Sequence, residues 1–185
     1  MKRYEGVDTY KFIDPLLNDR GRTLSLITPF ISTYYSRKLL AVAGRKRVRL
    51  ITSGSEINRK ALGMIHSGRR GTYLRVLLYL LALTVLLFYF NLILFAVGVS
   101  AAFVAVLALL ILNLTGRKAI EVKVVRHVFI HEKAYISENM AITGSANLTY
   151  SGTHNNLEHI DVIDDAQEIK RLSEHFEKLW SMDGA

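Results

Sequence analysis

The order of hydrophobic and polar positions before residue 70 predicts alternating strands and helices. The β-rich run Thr23–Thr28 predicts a strand that ends at Pro29, because proline lacks the amide hydrogen that a sheet requires. Apolar residues then recur at helical spacing from Ser32 to Ala43. A second strand is predicted over residues 48–52, and a strand, a helix and a strand within about 30 residues are typical of a parallel crossover unit. Two further helices are expected beside this unit, at Asp8–Asn18 and from Ser53 or Ser55 to about Ile65.

After residue 116 the pattern again predicts short strands, followed by one long helix. Alternation or β-rich composition predicts strands at Ile120–Val125, Val128–Ile136, Met140–Thr143 and Glu158–Ile163. An apolar stripe predicts a final helix over residues 164–180, with Asp164 or Asp165 as its N-cap. Without its apolar middle segment the chain is long enough for only a small single domain. We therefore expect the two parts to build one α/β sheet flanked by helices.

The middle of the chain, Val76–Leu114, is a segment of about 39 residues without a charged side chain. As one helix it would be roughly 58 Å long, against about 30 Å for the hydrocarbon core of a bilayer. Two helices fit if the chain turns near Asn91. A hairpin buried in a soluble core is the alternative, but the segment lacks amphipathic periodicity and the remaining chain is too small to enclose it. We predict a two-span transmembrane hairpin at 72–116, inserted between the domain parts 1–71 and 117–185.

Basic residues set the expected orientation of this hairpin. Arg69, Arg70 and Arg75 flank one end, and Arg117 and Lys118 flank the other. The positive-inside rule then predicts an integral membrane protein with the sheet domain and both termini in the cytoplasm. The formal net charge of +8 favours anionic partners, either phospholipid headgroups or nucleic acid. The absence of cysteine excludes disulfides and thiolate metal sites.

The stretch from His131 to Glu158 carries side chains suited to phosphate chemistry. His131 and Lys133 are two residues apart in a predicted strand, so their side chains are expected on one face, about 7 Å apart. An imidazole can attack phosphorus or transfer a proton, and an ammonium group neutralises phosphate oxygens. The turn Gly144-Ser145-Ala146-Asn147 offers backbone, hydroxyl and carboxamide donors. The Glu158 carboxylate could hold the His131 tautomer, although an isolated histidine is more often structural or on the surface.

Together these residues resemble the motif of the phospholipase D superfamily, which reads His-x-Lys, four residues, Asp, then Gly-Gly/Ser-x-Asn and a downstream Glu. In that order and spacing this chain has His131-x-Lys133, Glu138 in place of the Asp, Gly144-Ser145-x-Asn147 and Glu158. The resemblance extends to the Thr28-Pro29-Phe30 strand end, the VRLITS strand and the final helix ending in FEKLW. It covers nearly all of the chain outside the apolar segment.

The resemblance implies a phospholipase D-like mixed sheet and metal-independent cleavage of a phosphodiester through a phosphohistidine, without a cofactor. It assigns catalytic roles to His131, Lys133, Asn147 and Glu158, and phosphate-binding or supporting roles to Ser145, Gly144 and Glu138. The other histidines lack a lysine two residues later, so the chain has one copy of the motif. Single-copy members form homodimers with one shared active site, and we expect the same here.

The substrate stays open among three hypotheses. The inserted hairpin favours a membrane phospholipid, with hydrolysis or transfer of phosphatidyl groups, and this is the preferred prediction. The net charge of +8 and the single-copy architecture favour an endonuclease acting on DNA or RNA, for which the hairpin is an anchor. Glu138, one methylene longer than the usual Asp, keeps open a non-catalytic membrane scaffold with a decayed site.

Overall fold

The computed structural model describes residues 1–67, 78–83, 85–86, 98–100, 103–108 and 120–182. The chain divides into two compact units, one of residues 1–65 with 119–185 and the other of residues 66–118. In chain order the elements of the first unit are β1 (Lys2–Gly6), α1 (Tyr10–Leu17), β2 (Thr23–Ile27), α2 (Thr33–Val42), β3 (Arg47–Ser53), α3 (Glu56–Ser67), β4 (Ile120–Val125), β5 (Ala134–Ser137), β6 (Ala141–Gly144), α4 (Tyr150–His154), β7 (Glu158–Ile163) and α5 (Ala166–Ser181). The last two residues of α3 belong to the second unit.

A mixed sheet of seven strands, in the order β1-β7-β6-β5-β2-β3-β4, forms the centre of the first unit. β2, β3 and β4 are parallel, and the other pairs are antiparallel. The parallel crossover predicted for the first part is confirmed, since β2 and β3 pair in register from Thr23 with Arg47 to Ile27 with Ile51. The prediction of one sheet from both parts is also confirmed, because β4 pairs with β3 and β5 pairs with β2.

Helices cover both faces of this sheet, as the α/β prediction requires. On one face the buried side chains of β2 and β3 pack with those of α1, α2 and α3. On the other face Ile27, Ile51 and Ile136 pack with Ile169 and Phe176 of α5. β2 is buried from Leu24 to Ile27 because it lies between two helical layers, which explains why its sequence is a continuous run rather than an alternation.

Two elements were not predicted from the sequence, and one predicted strand begins later than expected. β1 had not been expected; it is an edge strand whose residues are mostly exposed, so no hydrophobic pattern marks it. The short helix α4 was also missed. The strand predicted at Val128–Ile136 begins only at Ala134, because residues 126–133 have no strand partner and form an irregular segment. His131 and Lys133 therefore precede β5 rather than lying within it.

The transmembrane hairpin predicted at 72–116 falls within the second unit, and no such hairpin is found among the described residues. Most of the predicted segment, including the turn near Asn91, lies outside the described residues. Residues 78–83, 85–86, 98–100 and 103–108 are helical. Large apolar side chains among them are exposed, for example Leu78, Leu81 and Phe103. None of the helices in the described ranges is both long enough and apolar enough to cross a bilayer.

Candidate active site

His131 and Lys133 lie in contact in the segment that precedes β5. The Lys133 Nζ is 3.4 Å from both ring nitrogens of His131 and donates to the His131 carbonyl oxygen at 2.6 Å. The His131 side chain is exposed, whereas Lys133 is only 6% exposed. Burial lowers the pKa of Lys133 because it disfavours the charged form, and the nearby Glu158 charge acts in the opposite direction. An imidazole open to solvent thus stands beside a poorly hydrated cation.

The turn after β6 is tied to the same segment. The Gly144 amide donates to the Lys133 carbonyl oxygen at 3.3 Å. Gly144 has φ +151°, and a Cβ atom there would lie 2.1 Å from the His159 carbonyl oxygen of β7. Only glycine accepts both this conformation and this approach. The glycine of the motif is therefore required by the backbone, because it lets β6 approach β7 closely.

Ser145 and Glu158 form one hydrogen-bonded unit across β6 and β7. The Ser145 hydroxyl donates to Glu158 Oε2 and accepts from the His159 amide at 3.1 Å. Asn156 Nδ2 donates to Glu158 Oε1 at 3.2 Å. The single hydroxyl proton of Ser145 is thus already used. Within the described residues no hydrogen bond joins Glu158 to His131, so the carboxylate contacts Ser145 and reaches Lys133 only through its charge.

Asn147 has fixed backbone neighbours and an unpaired side-chain oxygen. Tyr135 donates its hydroxyl to the Ala146 carbonyl at 2.5 Å, and the Leu148 carbonyl accepts from the Ser32 amide at 2.9 Å. The Asn147 Oδ1 atom is buried, yet it has no hydrogen-bond partner in the described part of the chain. Buried polar atoms are normally paired, so this oxygen is available to accept a hydrogen bond from a bound molecule. The carboxamide is held in place without being used by the fold.

The structure does not bring Glu138 to the other predicted site residues. Glu138 follows the last residue of β5, five residues beyond Lys133, which corresponds to about 16 Å along an extended chain. There its carboxylate accepts a hydrogen bond from the Thr23 hydroxyl at 3.2 Å. The acid at this motif position therefore joins the far end of β5 to the start of β2.

Phe129 was not identified from the sequence. Its side chain is 58% exposed, and its ring centroid lies 6.0 Å from that of His131 and 5.9 Å from that of Phe30. The wrong assignment of residues 128–136 to a strand concealed it, because an apolar residue in a strand is expected to face the core. The signal was the Val128-Phe129 pair directly after the polar Arg126-His127.

A mixed sheet with a His-x-Lys pair beside a Gly-Ser-x-Asn turn defines a phospholipase D-like phosphodiesterase domain. Residues 15–180 match the family described as "Cardiolipin synthase, PLD-like domain", and the chain belongs to this family. The resemblance stated from the motif residues is thereby confirmed. No curated protein matches the sequence.

Solved structures of the superfamily share the fold. The phospholipase D family member Nuc from Salmonella typhimurium aligns with a TM-score of 0.59 and 15% identity, over 97% of this chain and 93% of its own. NucT from Helicobacter pylori aligns with a TM-score of 0.54 and 16% identity, over 96% and 94% of the two chains. The phosphatidylserine synthase of Haemophilus influenzae has a TM-score of 0.52 and 12% identity, and the match covers 98% of this chain but 38% of the synthase.

Proposed function

We propose that this protein is a membrane-anchored phosphodiesterase of phospholipase D type that hydrolyses or transfers phosphatidyl groups. The observation that carries the lipid substrate is the apolar surface of the second unit, where Tyr79 is 76% exposed and Phe103 is 69% exposed. Exposed large apolar side chains in such number within the described part of one short segment are what a bilayer would cover. The family description, which names cardiolipin synthase, supports the same substrate class.

The proposed reaction begins with attack of the His131 imidazole on phosphorus. A nitrogen–phosphorus bond forms and the bond from phosphorus to the leaving alcohol oxygen breaks, while a second imidazole donates a proton to that oxygen. Water, or an acceptor alcohol in a transfer reaction, then gives its proton to the second imidazole and displaces His131 from phosphorus. The buried Lys133 ammonium neutralises the non-bridging oxygens, and its poor hydration strengthens that interaction. The Nδ2 group of Asn147 is proposed to donate to the same oxygens.

The second imidazole is proposed to be His131 of the partner subunit in a homodimer. Two of the other histidines in the described part of the chain are engaged elsewhere. His154 is stacked between Tyr10 and Tyr150 with ring centroids 4.3 Å apart on each side, and His175 lies 2.9 Å from the Glu132 carboxylate. A shared site gives each phosphate one nucleophile and one acid, which is the minimum that the two steps require.

A nucleic-acid substrate is the second candidate, and Phe129 is the observation that favours it. An exposed ring beside the nucleophile can stack on a base, and the net charge of +8 attracts a phosphate backbone. A decayed scaffold has less support. The site of the Asp-to-Glu difference, Glu138, lies at the far end of β5, so the extra methylene does not disturb the candidate site.

The substrate test uses the full-length protein purified in detergent. The protein is incubated separately with labelled phosphatidylglycerol, cardiolipin, and single-stranded and duplex DNA and RNA. We expect turnover of lipid, loss of that turnover in His131→Ala, and retention in His127→Ala, which removes an exposed histidine four residues away. Cleavage of nucleic acid without lipid turnover would favour the second candidate. Absence of turnover on every substrate would favour the scaffold.

The shared site is tested by co-expressing the unchanged chain with differently tagged His131→Ala chains at several ratios. If each site needs His131 from both subunits, activity falls with the square of the unchanged fraction. A linear decrease would show that one chain is sufficient and would contradict the shared site.

The membrane orientation is tested by labelling, because the chain contains no cysteine. Val7→Cys and Met182→Cys each introduce a single thiol at an exposed position near a terminus. We expect an impermeant reagent to label both thiols only from the cytoplasmic face of membrane vesicles. Labelling of one of them from the opposite face would exclude a hairpin with two cytoplasmic ends, and release of the protein by alkaline carbonate would exclude an integral anchor.

A further inference from the structure

Asn58, in the first turn of α3, is a fully buried polar side chain outside the motif. Its Oδ1 accepts from the Ile31 amide at 2.9 Å. Its Nδ2 donates to the Pro29 carbonyl at 2.8 Å, the Thr52 hydroxyl at 3.0 Å and the Ser53 carbonyl at 2.7 Å. These contacts join the backbone that follows β2 to the end of β3. One carboxamide thus contacts four groups in two chain segments, with its two amide hydrogens shared among three acceptors. The Ser53 hydroxyl also donates to the Pro29 carbonyl, at 2.6 Å.

The segment that Asn58 holds, residues 28–32, in turn contacts the residue after Asn147. Ile31 forms a parallel β-bridge with Leu148. The Ser32 amide donates to the Leu148 carbonyl at 2.9 Å, and the Leu148 amide donates to the Thr28 hydroxyl at 3.4 Å. Both backbone groups of Leu148 are therefore fixed by residues 28–32. The path from Asn58 to Asn147 consists of two hydrogen bonds, from Ile31 to Asn58 and from Ser32 to Leu148, and two peptide bonds, Ile31–Ser32 and Asn147–Leu148.

We propose that Asn58 is a positioning residue, which places the Asn147 carboxamide in the active site by fixing residues 29–31. The proposal rests on the proposed function, since it assigns Asn58 a part in that site. Asn147 has no side-chain hydrogen bond for its Oδ1 in the described residues, so its orientation depends on its backbone. A displacement of about 1 Å at a catalytic group can cost about 100-fold in rate.

The structural part of the proposal is tested without reference to activity, by amide-resolved hydrogen exchange on Asn58→Ala. We expect the Ser32 and Leu148 amides to exchange about five-fold faster, because their hydrogen bonds lose support. The Ser145 amide, which donates to the His159 carbonyl at 2.9 Å, should be unchanged. Ser137→Ala is the matched control, since Ser137 is 3% exposed and bonds the backbone of the β5–β6 turn. Unchanged exchange at Leu148, or faster exchange throughout the sheet, would overturn the proposal.

The functional part is tested by a double-mutant cycle with the substrate that the protein turns over. We expect Asn58→Ala to lower kcat about 100-fold with little change in KM, and Asn147→Ala to lower it about 100- to 1000-fold. The double variant should be no worse than Asn147→Ala alone, because Asn58 acts through Asn147. Multiplied effects would show that Asn58 acts elsewhere, and an unchanged kcat would overturn its role.

Thr28→Val provides a second variant in case Asn58→Ala folds poorly. It keeps the shape of the buried Thr28 side chain but removes the hydroxyl that accepts from the Leu148 amide. The same cycle with Asn147→Ala should again be non-additive. If the unchanged protein is inactive on every diester, the proposed function fails, but hydrogen exchange still decides whether Asn58 positions Asn147.

Discussion

Two lysines of almost equal burial lie at opposite ends of β5, and they differ in whether a carboxylate contacts the ammonium group. Lys133, before the strand, is 6% exposed, and Lys46, beside the far end, is 7% exposed. Lys46 forms a buried ion pair with Asp19, which also accepts from Asn139 at 3.2 Å. Lys133 contacts only a carbonyl oxygen and the imidazole of His131 among its hydrogen-bond partners in the described residues. Among the described residues, the Lys46 ammonium is in contact with a carboxylate, whereas Lys133 is influenced by Glu158 only at a distance.

The difference distinguishes a structural end of the sheet from the end that carries the proposed active site. At the far end, the side chains of Glu138, Asn139 and Ser137 are also paired within the chain. At the near end, the Lys133 charge and the Asn147 oxygen stay without full compensation. A fold gains nothing from leaving buried polar groups unpaired. The Lys133 charge beside His131 is the physical argument that this end of the sheet is suited to bind an anion.

The largest effect is expected when the uncompensated lysine is removed. Lys133→Met deletes the ammonium group that is proposed to stabilise the transferring phosphate, and activity should fall about 1000-fold. Because burial lowers the Lys133 pKa, the charged side chain destabilises the folded state, so the variant should melt a few degrees higher, with about 1 kcal/mol corresponding to roughly 2–4 °C. Turnover assays and thermal melts in detergent measure both quantities. A lower melting temperature would mean that Lys133 is structural.

The same substitution at the other lysine should have the opposite pattern. Lys46→Met leaves the Asp19 carboxylate, whose side chain is 10% exposed, buried without its cation. Breaking a buried pair from one side typically costs about 3–5 kcal/mol. Chemical denaturation should show this loss, whereas the activity of the folded fraction should be unchanged. Asp19→Asn combined with Lys46→Met should restore part of the stability; if Lys46→Met instead abolishes turnover, the division between the two ends fails.

The pH dependence of stability should also come from the far end. Burial would raise the Asp19 pKa, but hydrogen bonds from Lys46, Ser137 and Asn139 and the Lys46 charge together lower it below its ordinary value of 3.8. A carboxylate with a lowered pKa stabilises the fold above that value and ceases to do so as the pH falls through its folded pKa. Denaturation curves between about pH 5 and pH 2 should therefore show a loss of stability on acidification. The loss should be smaller in Asp19→Asn, and an equal loss would assign it to other carboxylates.

The sequence predicted more of the paired regions than of the site geometry. The strands β2, β3, β4 and β7 follow from runs or alternation of apolar residues, because each is set by burial. His131 and Lys133 lie in a segment without a strand partner. The two-residue alternation of a strand therefore could not predict the directions of their side chains. The role of Asn58 could not be read from its neighbours either, since Pro29 and Ile31, which it joins to the end of β3, are 29 and 27 residues away.

The identities of the site residues were available from the motif, but their tasks were not. The Ser145 hydroxyl could donate a hydrogen bond to a phosphate oxygen, but in the structure it donates to Glu158. Glu138 matches a motif position, but the four residues between it and Lys133 form β5. Glu138 therefore lies at the opposite end of that strand from the site. The sequence spacing of two residues in a strand gives the distance between them along the strand. The role of a side chain depends on which other side chains it contacts, and the spacing does not give these.

The smallest effect is expected at Glu138, and it tests whether the motif acid belongs to the chemistry or to the fold. Glu138→Gln keeps an oxygen that can accept from the Thr23 hydroxyl, at a surface contact between the ends of β5 and β2. The free energy of unfolding should change by no more than about 0.5 kcal/mol, as for most surface substitutions. Turnover should stay within about two-fold of the unchanged protein. An exposed contact of this kind contributes at most about 0.5 kcal/mol, which corresponds to roughly that factor. Glu138→Asp, which restores the usual residue of the motif, should be equally neutral. A loss of turnover in Glu138→Gln comparable to that of Lys133→Met would mean that catalysis requires the Glu138 carboxylate. The distinction between the two ends of β5 would then be wrong.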